Sequence, residues 1–149
     1  MRFDRRALAA PREFAFAWDG AVQFQHVDAA GIAFFARIQE YFHETLMLFL
    51  EHAGQPLPAQ LRAGTGMAPL VHAEADYLLP LRFGDRFRVG IVDAETTPFK
   101  VTLGFRLDAE AGVAATGSTV HVWVDPGRFT KAPMPDPVRE AFLTLDRTR

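Results

Sequence analysis

Strict alternation of apolar and polar residues runs through the C-terminal two thirds of the chain. It is clearest in Phe87, Val89 and Ile91, in Val101, Leu103, Phe105 and Leu107, and in Val120, Val122 and Val124. A period of two is the mark of strands with one buried face, and it predicts strands over 68–78, 86–93, 100–107 and 114–124. Pro80 with Gly84-Asp85, Thr96-Thr97-Pro98 and Asp108 to Gly112 separate them. Connections this short join antiparallel neighbours. On the alternate positions Arg86, Arg88, Lys100, Thr102 and Arg106 are expected to face water or a partner.

One stretch has a helical period instead. Apolar residues recur at Phe34, Ile38, Phe42, Thr45 and Phe49, and again at Phe35, Tyr41, Leu46 and Leu48. Most of the cylinder is therefore hydrophobic, and a helix from near Phe34 to about Ala53 is expected inside the molecule. Gly54 stands where a left-handed C-terminal cap is wanted, and Pro56 and Pro58 open a loop to Gly66. Upstream, Phe14, Phe16 and Trp18 alternate into Asp19-Gly20 and on to Val22 and Phe24. That pattern fits a hairpin, or one long strand with a bulge. The tail 126–137 holds four prolines, and 138–145 is expected as a short last helix. One long helix against one antiparallel sheet is an α+β layer, whose sheet edges need a partner or protection.

Composition narrows the function more than it does the fold. The 149 residues suit a single domain, 1–149, with 1–13 as a frayed arm and 126–149 as a tail. Net charge is −2 and only Lys100 and Lys131 among the 16 basic residues are lysine, the arginines being scattered. A nucleic-acid-binding stripe is not expected. The arm lacks a signal-peptide core, and no run approaches the roughly 18 apolar residues of a membrane span. Cysteine is absent, which removes disulfides, thiol catalysis and cysteine-held zinc. The expected compartment is the cytoplasm, with no membrane or nucleic-acid partner.

The lone serine, Ser118, lies in a strand pattern with no Gly-x-Ser-x-Gly elbow, and no phosphate-cradling glycine loop occurs. Carboxylates, histidines and backbone amides are left to carry any chemistry. Asp28, in His26-Val27-Asp28-Ala29-Ala30-Gly31, precedes the long helix, where unpaired N–H groups and the positive end of the helix dipole gather. An aspartate before a helix often only satisfies those N–H groups. Here Ala29 to Gly31 intervenes, too far for simple capping of a helix that starts at Phe34, and Gly31 permits close approach of a ligand to the backbone. His26-x-Asp28 with a distant His72 or His121, or a row of His72, Glu74 and Asp76 on one strand face, would suit a metal, a weaker reading. His43 and Glu44, polar residues in an apolar helix, read as satisfied core or interface groups, or as the lining of a pocket.

The run His26-x-Asp28-x-Ala30-Gly31-Ile32-Ala33-Phe34-Phe35, the aromatic helix ending near Gly54, and Pro69 to Asp85 with its Pro80 and Gly84-Asp85 resemble the 4-hydroxybenzoyl-CoA thioesterase family of hotdog-fold proteins. Within it the Asp28 segment with Phe34-Phe35 and His43-Glu44 looks most like the 1,4-dihydroxy-2-naphthoyl-CoA hydrolases. The resemblance implies a sheet wrapped around the helix, paired subunits as a homodimer or homotetramer, and a site at their interface. It implies hydrolysis of an aromatic or medium-sized acyl-CoA, with CoA as part of the substrate and no cofactor. Asp28 would act as nucleophile or as base for water, and the Phe35 backbone N–H would polarise the thioester carbonyl. His26, His43, Glu44 and His72 are candidate substrate contacts. Some relatives carry a basic cluster for the CoA nucleotide where this chain has Glu95-Thr96-Thr97-Pro98, which leaves Lys100, Arg128 and Lys131 as phosphate contacts. A non-catalytic hotdog module that binds acyl-CoA or an acyl carrier protein is the alternative.

Overall fold

The computed structural model describes residues 3–147; Met1 and Arg2 of the arm and residues 148–149 of the tail lie outside the described residues. Helix α1 (Arg5–Ala9) is followed by strand β1 (Phe16–Ala21), helix α2 (Phe35–His52) and helix α3 (Leu57–Ala63). Strands β2 (Leu70–Tyr77), β3 (Arg86–Thr96), β4 (Lys100–Ala109) and β5 (Gly112–Val122) come next, then helix α4 (Asp136–Leu143). The strands form one antiparallel sheet in the order β1-β3-β4-β5-β2. The α+β expectation holds.

The inner face of the sheet takes Val101, Leu103, Phe105 and Leu107 of β4 against the buried face of α2, which is Ile38, Tyr41, Phe42, Thr45, Leu46, Phe49 and Leu50. Phe42 is fully buried and stacks on Phe105 with ring centroids 4.8 Å apart. Gly117 of β5 lies beneath it, where a Cβ would come within 2.5 Å of the Phe42 ring. Deleting that ring leaves a cavity the sheet cannot fill, so Phe42→Ala is expected to cost about 3–5 kcal/mol of stability, read from urea midpoints. The helix is not apolar all round. Phe34 at its N-cap and Phe35, Glu40, His43 and Glu44 are exposed, so one face of α2 is open to solvent while the sheet packs around the other. Its C-terminus closes as expected: Gly54 has φ 75°, its N–H donates to Glu51 and that of Gln55 to Leu50.

Several expectations need correction. The Asp19-Gly20 pair makes no hairpin, because β1 runs straight through it in unbroken register with β3 from Phe16↔Ile91 to Ala21↔Arg86. The stretch after Gly54 is not all loop, since Pro58 fits the first turn of α3, where its missing N–H costs nothing. Strand β3 is longer than the alternation suggested. A bulge between Ile91 and Asp93 buries Ile91 and Val92 in succession and resets which face the later residues occupy.

The arm is not frayed within the described residues. Asp4 caps α1 by accepting from the Ala7 N–H (3.1 Å), and Leu8 is buried on the outer face of the sheet. Gly104 makes room for it: a Cβ there would lie 2.6 Å from the Leu8 side chain. The arm also covers residues expected to face water. Arg106 is buried, held by Asp108 (2.8 and 3.0 Å) and donating to the Ala10 carbonyl (2.9 Å), with the Phe14 ring 4.4 Å from its guanidinium. Thr102, on the same face of β4, is buried as well, whereas Arg86 and Arg88 are exposed as expected.

Candidate functional site

The loop 27–33 is a closed hairpin-like turn that ends where α2 begins. Val27 and Ala33 form an antiparallel bridge, the Asp28 N–H donates to Ile32 (3.0 Å) and the Gly31 N–H to Asp28 (3.0 Å). Gly31 has φ 79°, which favours glycine, and the space its Cβ would occupy is open. One carboxylate oxygen of Asp28 accepts the Ala30 N–H at 2.8 Å, which orients the group. Among the described residues its other oxygen has no partner. The loop is pinned to the sheet by the Ala33 N–H on Leu81 (2.7 Å) and to the preceding turn by the Phe34 N–H on the His26 carbonyl (2.9 Å).

Helix α2 then opens at Phe35. Among the described residues the Phe35 N–H has no hydrogen-bond partner, as expected of the first helical position. Asp28 and Phe35 line one cleft of about 380 Å³ with Ile38, Tyr77, Leu81 and Ala114. An exposed carboxylate, a free N–H at the positive end of a helix and an apolar wall are thereby set side by side. Such a set can attack, or direct water onto, a carbonyl whose oxygen turns toward the N–H.

His26 is placed to brace this loop. Its Nδ1 accepts the Gln23 N–H (3.3 Å) and lies 2.8 Å from the Tyr41 hydroxyl, which must donate to the same nitrogen. The proton therefore sits on Nε2. Burial, and then Arg37, hold the imidazole below its usual pKa against the opposing pull of Glu40, in keeping with a neutral ring. Burial pushes the Tyr41 hydroxyl up to about 12, so it stays a donor. The metal reading finds little support here: His72 and His121 lie on opposite faces of the sheet, and among the described residues no three metal-ligating side chains converge.

A sequence profile of the thioesterase-like superfamily matches residues 22–142. The chain belongs to the thioesterase-like superfamily. It is 27% identical over 133 residues to a 1,4-dihydroxy-2-naphthoyl-CoA hydrolase of Nostoc punctiforme, covering 89% of this chain and 90% of that one. A relative of the same name from Thermosynechococcus vestitus is 31% identical over 119 residues, 78% of this chain and 81% of that one. A solved 1,4-dihydroxy-2-naphthoyl-CoA thioesterase from Synechocystis superposes with a TM-score of 0.81 at 25% identity, covering 86% and 95% of the two chains. The gentisyl-coenzyme A thioesterase BH1999 does so with a TM-score of 0.75 at 28% identity, covering 85% and 98%. The five-stranded sheet laid on α2 is thus the hotdog fold of this superfamily, and the chain is a thioester hydrolase.

The remaining candidates of this thioesterase fall in three places. His43 lines a second, apolar cavity of about 280 Å³ with Leu46, Gln60, Leu70, His121 and Trp123, and with Glu44 it borders a further cleft of about 560 Å³ against Leu70 and Ala73. His72 is on the outer sheet face, its Nε2 3.4 Å from Glu74, whose other oxygen accepts from Ser118 (3.0 Å). Lys100, Arg128 and Lys131 lie at the far end: Lys100 pairs with Val122, eight residues along β5 from the Ala114 that lines the Asp28 cleft. That is about 26 Å of strand. Within one chain these cations do not meet Asp28.

Two contributors were missed, and both are tyrosines. Tyr41 fixes His26, and the Tyr77 hydroxyl donates to the Phe35 carbonyl at 3.2 Å, tying β2 to the helix entrance. The chain has only two tyrosines, and both serve this corner. Their one signal was a place on the inner face of α2 and of β2.

His121 gives the site region a pH dependence. It is 4% exposed, with Nδ1 3.2 Å from the Ala68 carbonyl and Nε2 3.1 Å from the Thr119 hydroxyl. Burial lowers its pKa to about 4, the Ala68 hydrogen bond opposing and His43 adding slightly. Folding therefore favours the neutral ring. This contribution is fully present above the unfolded value of 6.5 and is lost as pH falls through about 4. It amounts to roughly 3 kcal/mol. The urea midpoint is expected to drop between pH 7 and pH 4, and to drop less in His121→Asn.

Proposed function

We propose that this hydrolase cleaves an aromatic or medium-sized acyl-CoA to free acid and CoA, with Asp28 and the Phe35 N–H as its working pair. The observation that carries the reading is their convergence on one apolar cleft at the start of α2. In one route an Asp28 oxygen bonds to the thioester carbon, the C–S bond breaks, CoA leaves as a thiolate that takes a proton from solvent, and water hydrolyses the resulting anhydride. In the other, Asp28 takes a proton from water as that water attacks the thioester carbon, and collapse of the adduct breaks the C–S bond and expels CoA as a thiolate that takes up a proton from Asp28 or solvent. The Phe35 N–H receives the developing oxyanion in both. The cleft walls and the open space at Gly31 suit a flat acyl group and a pantetheine chain. The hydroxylated aromatic acyl groups in the names of the relatives point the same way.

A dimer completes the proposal. Strand β2 is an edge of eight residues, with Leu70, Val71 and Tyr77 exposed on it and Leu78 and Leu79 exposed just beyond. An open edge of this length calls for pairing with a second copy. Thiol release measured across aroyl-, naphthoyl- and fatty acyl-CoAs tests the reading. The highest kcat/KM is expected for an aroyl or naphthoyl thioester. No turnover on any of them, with measurable CoA affinity, would favour a binding module.

A further inference from the structure

Six residues after Phe35, helix α2 carries a tyrosine that reaches back to the turn from which the helix starts. Tyr41 is 5% exposed and fixed from both sides. Its ring packs on Phe87 with centroids 4.6 Å apart, and its carbonyl accepts from the Thr45 hydroxyl (2.8 Å), which itself accepts from the Trp18 indole N–H (2.9 Å). From this anchored position the Tyr41 hydroxyl meets His26 Nδ1 at 2.8 Å. The Gln23 N–H meets the same nitrogen at 3.3 Å and closes the 3₁₀ turn Phe24–His26. A second tie runs from the Arg37 guanidinium of α2 to the Gln25 carbonyl (3.2 Å). The turn then passes its position on through the main chain. The His26 carbonyl accepts the Phe34 N–H (2.9 Å), and Val27 bridges to Ala33 at the base of the Asp28 loop. With the Phe34 N–H spent on that carbonyl, the next one, on Phe35, is left free at the cleft.

We infer that Tyr41 and His26 are positioning residues for the Phe35 N–H and the Asp28 loop, and that they hold the pair in place only while the His26 ring is neutral. What they position rests on the hydrolytic reading proposed above. Both contacts on Nδ1 are donations to a bare nitrogen, which only a neutral ring offers. A proton there turns Nδ1 into a donor. The Tyr41 hydroxyl can rotate to accept it, but the Gln23 N–H belongs to the main chain and cannot. Donor then faces donor, the ring has to turn away, and the carbonyl that holds the Phe34 N–H shifts with its own residue. Among the described residues the charges that act on the imidazole are Arg37 and Glu40 of α2, which pair with each other at 2.9 Å, while the turn itself adds the uncharged Gln23 and Gln25. Burial first, and then Arg37, favour the neutral ring against Glu40, so it persists to below its ordinary value of 6.5. The Tyr41 hydroxyl, pushed up to about 12 by burial, keeps its proton throughout.

Three variants separate positioning from packing. Tyr41→Phe keeps the ring on Phe87 and removes only the hydroxyl; kcat is expected to fall about tenfold with KM little changed, since the donor it aligns acts in the transition state. His26→Ala is expected to lose at least as much. His26→Asn sets an Oδ1 where Nδ1 stood, accepts the same two hydrogen bonds and does not titrate, so it should recover the larger part of that loss. The acid limb of kcat carries the sign. Without the Tyr41 donor the neutral ring loses a stabilising bond, His26 titrates at higher pH, and the limb moves up. In His26→Asn the His26 contribution vanishes and the limb moves down. A limb that stays put in both proteins would overturn the inference, as would wild-type kcat in Tyr41→Phe or an asparagine variant no better than the alanine one. Ring-nitrogen and amide NMR of the wild type gives a reading that needs no turnover. The expected result is a bare Nδ1 with the proton on Nε2 near neutral pH, and Phe34 and Phe35 amide signals that follow the His26 titration in wild type but not in His26→Asn. Amide signals indifferent to that titration sink the coupling whether or not a thioester is hydrolysed. Signals that follow it in a protein that hydrolyses no thioester would leave the coupling standing and remove the hydrolytic proposal instead.

Discussion

Asp28→Asn is expected to lower kcat by about a hundredfold or more, the scale of a positioned acid–base group. The substitution is chosen because it spares the loop. The Oδ1 of an asparagine still accepts the Ala30 N–H, and the Asp28 and Gly31 backbone hydrogen bonds need only the main chain. Tm should therefore stay at the wild-type value, and the loss should fall on kcat rather than KM. What disappears is the negative charge that attacks the carbonyl or takes a proton from water. Equal kcat in the two proteins would remove Asp28 from the mechanism and return it to its turn-forming role alone. A single turnover in isotopically labelled water then separates the two routes. Label in the Asp28 carboxylate marks an anhydride; where the label is only in the released acid, an acyl-Asp28 adduct caught by rapid quench marks an anhydride opened at its acyl carbon, and no such adduct marks direct attack by water.

The position of Asp28 just ahead of the long helix was legible because loop and helix are contiguous in the chain, and it was the family resemblance that singled out the Phe35 N–H. A helix start read from periodicity fixes where the free N–H groups lie, and Asp28 is seven residues away. The rest of the cleft comes from elsewhere. Tyr77 and Ala114 reach it through the pairing of β2 with β5, and Leu81, whose carbonyl takes the Ala33 N–H, through the loop after β2; local alternation supplies neither. The bulge at Ile91 to Asp93 illustrates why: one extra residue reverses the inward and outward assignment of everything after it. Arg106 shows a different failure. Its residue type argued for the surface, and burial became tolerable only because Asp108, the Ala10 carbonyl and the Phe14 ring all meet its guanidinium. Helix α1 is five residues long, too short to display a period, and its single anchor Leu8 depends on the notch at Gly104, nearly two thirds of the chain away.

Phe35→Pro isolates the proposed oxyanion donor, a backbone group that ordinary side-chain substitution leaves in place. Proline at the first helical position removes one N–H that has no intrahelical partner and carries a φ already suited to the helix. Its demand on the preceding residue is also met. Phe34 has φ −59° and ψ 136°, within the extended region that a residue before proline prefers. The Tyr77 hydroxyl keeps its acceptor, since it bonds to the carbonyl at position 35 and not to the N–H. The fold should therefore survive, with a far-ultraviolet spectrum and Tm near those of wild type. Loss of one such donor costs about 2.7–4 kcal/mol of transition-state stabilisation, or about a hundredfold to a thousandfold in kcat. KM should change little, because the oxyanion exists only beyond the ground state. Phe35→Ala is the control for the ring, which is 61% exposed on the cleft. It keeps the N–H, so its effect should be far smaller and should fall mainly on KM. Matching losses in the two variants would assign the effect to the ring, and wild-type turnover in Phe35→Pro would move the oxyanion donor elsewhere.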